Sequence, residues 1–270
     1  MTALVRANDL PRYYATLFSP PSIRDDLLAI YGFAAEIARV PDQVRDPTLG
    51  EIRLKWWSDA LVEAIGRGGG GETPALRAAT AAITRLALPI APFVAMIEAR
   101  SADLYSNPPA TLTDLEGRMG ETESVLFQMS AIALGAAGPE TADAAGHAGI
   151  AYGVARRLST FASDRARGRT ILPASVLAEH GLSATETYAA SVPEGLTQSV
   201  GAVADFARRH LGLARAAAIP PETRAVFFPL AVVDPLLRRS EGLGADFATK
   251  DVSLSNLESL TRIALARLFR

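Results

Sequence analysis

Along this chain a serine or threonine is repeatedly followed, three residues later, by a glutamate: Thr48 with Glu51, Thr113 with Glu116, Ser183 with Glu186 and Ser255 with Glu258, with Ser22 and Asp25 a near variant. That spacing lets a hydroxyl and a carboxylate satisfy amides left unpaired at a helix start. Between these starts the apolar residues recur every three to four positions. Leu27, Leu28, Tyr31 and Ala34 make one such face, and Leu54, Trp57, Leu61 and Ile65 make another. No stretch alternates β-branched residues between hairpin turns. The pattern predicts an all-α fold, with helices over roughly 4–18, 22–39, 49–66, 74–87, 91–104, 112–137, 140–164, 174–180, 184–217, 222–240 and 255–269.

The joints between these helices do not divide the chain into separate units. The glycine-rich segment Gly66 to Gly71 follows a helix rather than a strand, which marks residues 66–73 as a flexible surface loop and not a phosphate cradle. Proline pairs at Pro20–Pro21, Pro108–Pro109 and Pro220–Pro221 end helices, but similar amphipathic patterns resume beyond each. One domain over residues 1–270, without an internal repeat, is the expectation.

Composition excludes several classes of function. With 49% hydrophobic residues and a net charge of -2, the chain is not disordered and carries no general basic field for nucleic acid. It has no cysteine, which removes disulfides, thiolate catalysis and thiolate metal sites together. His147, His180 and His210 lie in no metal-ligand spacing and read as surface or partly packed residues. No serine sits in a nucleophile elbow. Neither a signal peptide nor an apolar run of membrane-spanning length is visible, so the expectation is a cytoplasmic protein, with peripheral contact at the inner membrane left open.

Two segments carry more specific information. IYGFAAEIARVPDQVRD (residues 30–46) is followed by LKWWSDAL, and YGVARRLSTFASDRARGRTILP covers residues 152–173. Together they resemble the squalene/phytoene synthase family of head-to-head prenyltransferases, over nearly the whole chain. Tyr31 and Phe33 match the lead-in to that family's first aspartate-rich motif, and Gly168, Arg169, Leu172 and Pro173 match the tail of its second. The resemblance implies a helical bundle around a central cavity, with the Tyr31–Arg39 and Tyr152–Asp164 helices facing each other across it. It also implies a reaction in which magnesium, held by both carboxylate clusters, neutralises a departing diphosphate.

The aspartate motifs themselves depart from the family pattern. Counted from Tyr31, the first falls on Ala38, Arg39, Val40, Pro41 and Asp42; counted from Pro173, the second falls on Thr160, Phe161, Ala162, Ser163 and Asp164. Each keeps only its last aspartate. A shifted register would recover Asp42 and Asp46, four residues apart, although Pro41 opposes a continuous helix there. Arginines enter the same regions. Arg39, Arg156 and Arg157 either build a metal-independent anion pocket, pair with Glu36, Asp42 or Asp164, or face solvent.

Degenerate motifs inside intact flanks resemble the branch of the family that includes the mitochondrial assembly factor for respiratory complex I. That resemblance implies a diverged, noncatalytic protein acting in respiratory-complex assembly or binding an isoprenoid-like ligand, with no cofactor. Respiratory-complex subunits or a prenyl diphosphate are the implied partners. The alternative is a magnesium-dependent prenyltransferase condensing two farnesyl or geranylgeranyl diphosphates. The cavity candidates are Tyr31, Phe33, Arg39, Arg156, Arg157 and Arg169, and the candidate metal ligands are Asp42, Asp46 and Asp164.

Overall fold

The computed structural model describes residues 1–189 and 192–268, and every regular element among them is helical. The first helical stretch is two helices, α1 (Thr2–Asn8) and α2 (Leu10–Thr16), rather than the single one expected over 4–18. Asp9 leaves helical geometry and its carboxylate accepts from the Arg12 amide at 3.2 Å, while Pro11 lacks an amide to continue the ladder. Then come α3 (Arg24–Ala38), α4 (Pro47–Gly66), α5 (Pro74–Arg85) and α6 (Ala91–Ala99). The start of α4 is capped by Asp46, not by the Thr48–Glu51 pair, and Pro47 occupies the first helical position.

The helix expected over 112–137 is interrupted. A capping box of Thr111 and Asp114, two residues before the one predicted, opens α7 (Leu112–Met119). A π-helical turn at Gly120–Ser124 follows, and then α8 (Val125–Ala133). The long α9 (Pro139–Ser159) breaks at Thr160 before α10 (Phe161–Ala166), and α11 is Ala174–Glu179. The Ser183–Glu186 box forms, but it opens only a 3₁₀ turn, and α12 begins later (Gly195–Ala216). Residues 190 and 191 of the predicted 184–217 helix lie outside the described residues. The 222–240 stretch is cut by 3₁₀ turns at Pro221 and Pro229 into α13 (Arg224–Phe227) and α14 (Val233–Gly242). Last comes α15 (Asn256–Leu268), entered through a bond from the Glu258 amide to Ser255; residue 269 of the predicted helix is outside the described residues.

Two apolar cores flank the site. One joins α9 to α12 and α14 and contains Tyr152, Phe127 and Phe161; the other joins α3 to α4, α5 and α6 and contains Phe33, Leu61 and Phe93. The predicted inner face of α4 is buried as expected, with Leu54, Trp57 and Leu61 all at most 5% exposed. The π-helical turn is possible because α9 offers glycine where the backbones meet. A Cβ on Gly149 would lie 2.2 Å from the Ser124 backbone nitrogen. The Ser124 hydroxyl instead donates to the Gly146 carbonyl at 2.6 Å. This close approach turns Glu123 toward the space between α3 and α9.

Candidate functional site

A cavity of about 360 Å³ lies between α3 and α9, as the facing-helix expectation required. Its size is at the low end for small-molecule pockets. Its wall is strongly charged: Arg12, Arg39, Arg100, Arg156 and Arg167 face Asp9, Asp42, Glu123 and Asp164. These groups sort into an inner and an outer cluster.

The inner cluster centres on Arg12, which is 2% exposed. Its guanidinium meets Asp9 at 3.0 Å and Glu123 at 2.8 Å. It also lies over the rings of Tyr152, Phe127 and Tyr31, at 4.7, 4.9 and 5.5 Å from their centroids. A cation buried this deeply is tolerable only when paired and faced by electron-rich rings. Burial alone would raise the Glu123 carboxyl, but Arg12, Arg156 and Arg100 bring it down to about 2. Asp9 is shared further: it accepts from the Tyr152 hydroxyl at 2.5 Å and from Arg156 at 3.0 Å. Burial, followed by the Asp9 charge, pushes the Tyr152 hydroxyl well above its ordinary range, so it stays a donor. Tyr31 accepts from the Ser130 hydroxyl at 2.8 Å.

The outer cluster holds what remains of the two motifs. Arg169 bridges them, meeting Asp42 at 2.6 Å and Asp164 at 3.0 Å with the same nitrogen. Arg167 approaches Asp42 at 3.6 Å, and Arg157 lies between Asp103 and Asp164 at 3.2 and 3.3 Å. Ser163 is engaged elsewhere, its amide donating to Asp251 at 3.0 Å and its hydroxyl bonded to the same carboxylate.

Of the predicted site residues, Tyr31, Arg39, Asp42, Arg156 and Asp164 line the cavity, and Arg157 and Arg169 hold its acidic wall from behind. Phe33 does not face it. It is fully buried, edge-on to Trp57 at 5.6 Å. Asp46 is also elsewhere: as the α4 cap it accepts from the Thr48 amide at 2.9 Å, so the shifted register joining it to Asp42 does not form a ligand pair. Arg39 pairs with Glu36 at 3.7 Å, and Arg156 pairs with Asp9 rather than a motif aspartate. The sequence reading missed Asp9, Arg12 and Glu123. Asp-Leu-Pro-Arg at 9–12 carries a visible helix-start signal, an acidic cap before proline, but nothing local marks Glu123.

The donor chemistry does not suit magnesium. Both motif carboxylates are already satisfied by guanidinium groups, and no cluster of three or more potential metal ligands occurs among the described residues. A divalent cation entering between Asp42 and Asp164 would have to displace a permanently charged side chain and then sit beside it. Behind the Asn8–Asp9 joint lies a second chamber of about 370 Å³, whose wall includes Leu10, Val232, Leu236 and Leu254. His147 and His180 are partly packed, as expected, whereas His210 is buried. His147 and His210, on α9 and α12, meet through their Nδ1 atoms at 2.9 Å, so at least one of the rings is neutral.

A family model described as squalene/phytoene synthase matches residues 5–258. Among curated proteins, the NADH dehydrogenase (ubiquinone) complex I assembly factor 6 of Rattus norvegicus is 25% identical over 264 residues, covering 97% of this chain and 78% of its own length. The homologue from Drosophila melanogaster is 26% identical over 249 residues, covering 88% of this chain and 73% of its own length. Among solved structures, squalene synthase HpnC from Alicyclobacillus acidocaldarius superposes with a TM-score of 0.76 at 21% identity, covering 92% of this chain and 93% of that one. A dehydrosqualene synthase in complex with ligand gives 0.83 at 16% identity, covering 99% and 94%.

Proposed function

Because the chain belongs to the squalene/phytoene synthase family, we propose that it is a diverged, noncatalytic member that acts in respiratory complex I assembly and keeps the old cavity for an isoprenoid-like ligand. The observation that carries this reading is the Arg169 bridge, which fills with a fixed cation the place where facing carboxylates would gather metal ions. A guanidinium neutralises the two aspartates but leaves no open coordination position for a leaving diphosphate. The loss of carboxylates from both motifs points the same way, since stabilisation worth about 4 kcal/mol in a transition state is about a thousandfold in rate. The assembly role draws its support from relatives of that name matching 97% of the chain. The ligand reading draws on a charged chamber that shares Asp9, Glu123 and Arg156 with a second one, whose wall adds the apolar Leu10, Val232, Leu236 and Leu254.

Two measurements test it. The full chain incubated with farnesyl or geranylgeranyl diphosphate and magnesium should release no pyrophosphate and form no condensation product above the protein-free control. Squalene or phytoene formed at ordinary enzymatic rates, and abolished by Asp42→Asn or Asp164→Asn, would establish the transferase instead. In cells that carry the gene and complex I, its deletion should lower the amount of assembled complex, and the Asp42→Asn variant should restore it as well as the wild type does.

A further inference from the structure

α4 is apolar on both sides. Its inner face packs Leu54, Trp57 and Leu61 into the core, yet Leu49, Ile52 and Trp56 are 56%, 61% and 39% exposed. Their spacing of three and four residues places them on one outward stripe over the first turns of the helix. The stripe is held rigidly, since the Trp56 ring stands edge-on to the buried Trp57 at 4.9 Å. Its flanks are cationic: Arg53 follows Leu49 by one turn, and Arg45 precedes the helix. Both are exposed, and neither forms an ion pair or hydrogen bond among the described residues. The neighbouring acids are otherwise engaged. Asp42 is held by Arg169, Asp46 caps α4, and Glu51 accepts from the Ser101 and Tyr105 hydroxyls at 2.5 and 3.2 Å.

We propose that this outer face of α4 docks the protein on an anionic lipid bilayer. Two aliphatic side chains and a tryptophan, flanked by unpaired arginines on a helix, form the pattern that settles at the headgroup level, with the ring at the interface and the guanidiniums on lipid phosphates. A stable protein interface takes about 20–30 residues a side, far more than this narrow stripe supplies. The chain as a whole carries a net charge of -2, so the attraction is local to the patch. No described helix is long and apolar enough to cross a membrane, and this surface gives a way to hold one without crossing it. α4 also packs on the Val40–Asp42 turn, so the docking helix adjoins the Asp42 end of the cavity. The proposal stands independently of what the cavity holds.

Co-sedimentation of the full chain with vesicles tests it, using phosphatidylcholine alone and phosphatidylcholine mixed with phosphatidylglycerol. Binding is expected to the mixed vesicles, to weaken with salt, and to be much poorer to phosphatidylcholine alone. Arg45→Gln and Arg53→Gln should each weaken it about fivefold. The combined Leu49→Ser, Ile52→Ser and Trp56→Ser variant should abolish it, and Val62→Ser, exposed on another face of α4, should change nothing. Vesicles should shift the fluorescence of the wild type to the blue but not that of Trp56→Phe. The arginine variants, which disturb no packed group, carry the test even if the triple variant misfolds. Failure to bind anionic vesicles, or binding undiminished in the arginine variants, overturns the proposal. So does a patch needed only for capturing a protein partner while vesicles are ignored.

Discussion

The inner and outer charge clusters use the same residue types but solve different problems. Around Arg12 the central charges are shut away from water, Arg12, Asp9 and Glu123 being 2%, 7% and 8% exposed with three aromatic rings around the guanidinium, while Arg156 at the rim keeps its side chain 34% exposed. Around Arg169 the cluster is buried at one end and open at the other: the Arg169 and Asp164 side chains are each 12% exposed, but that of Asp42 is 41% and that of Arg167 51% exposed. A buried cluster must be complete, because any unpaired member keeps its full desolvation cost. An open one tolerates substitution, because water replaces a lost partner. Of the motif aspartates, Asp42 lies at the open end, whereas Asp164, 8% exposed, is as buried as Glu123; the closed cluster ties α2, the π-helical turn and α9 together.

The sharpest way to break this comparison is Arg12→Ala. It leaves Asp9 and Glu123 short of their buried counter-ion and should cost about 3–5 kcal/mol in urea unfolding. Trp57→Ala, a purely apolar deletion in the neighbouring core, should cost a similar roughly 3–5 kcal/mol. If Arg12→Ala loses less than about 1 kcal/mol, the inner cluster is not the closed unit described, and its charges are screened like those outside.

A second test uses acid. The Glu123 carboxyl titrates at about 2 in the folded chain against 4.5 ordinarily, so the unfolded state binds the proton first. Its contribution is fully present above pH 4.5 and is lost as the pH falls through about 2. Glu123→Gln should flatten that part of the stability profile; an unchanged slope would place the acid sensitivity elsewhere.

Arg169→Ala should cost only about 1–2 kcal/mol, between exposed and buried charged contacts. It should also expose Asp42 and Asp164 and give measurable magnesium binding by calorimetry where the wild type shows none. A variant as unresponsive to magnesium as the wild type would mean that the bridge is not what keeps the ion out. The smallest effect is expected from the histidine pair. Burial, then the neighbouring His147 and Arg209, lower the His210 pKa against the opposing pull of Glu116. Stability from this group is therefore complete above pH 6.5 and declines below it, and His210→Asn should remove that decline.

Most of the helical architecture was legible in the residues, because capping and amphipathic periodicity act within four positions. Ser255 does cap α15, and the Leu54, Trp57, Leu61 face does lie in the core. The misplaced starts are instructive. At α4 an aspartate followed by proline took the cap from Thr48, and at α7 Thr111 with Asp114 displaced Thr113 with Glu116. Each outcome is local: at α4 an aspartate cap with Pro47 behind it, and at α7 a capping box two residues earlier in the chain.

The resemblance located the cavity helices and seven of the nine candidate residues around the site, but it could not show what each touches. Arg12 and Glu123 are 111 residues apart in the chain, and Tyr152 and Asp9 are 143 apart. Charge pairing at that separation is decided by how helices cross. Here that depends on Gly149 admitting the Ser124 backbone and on one π-helical turn rotating Glu123 inward. By itself the sequence determined that the chain would be helical and which faces would be buried; that each aspartate motif keeps only its last carboxylate was what the family resemblance implied. Tertiary structure alone decided that a single arginine would bridge those carboxylates, because a guanidinium's partners depend on which helices bring their charges within a few ångströms.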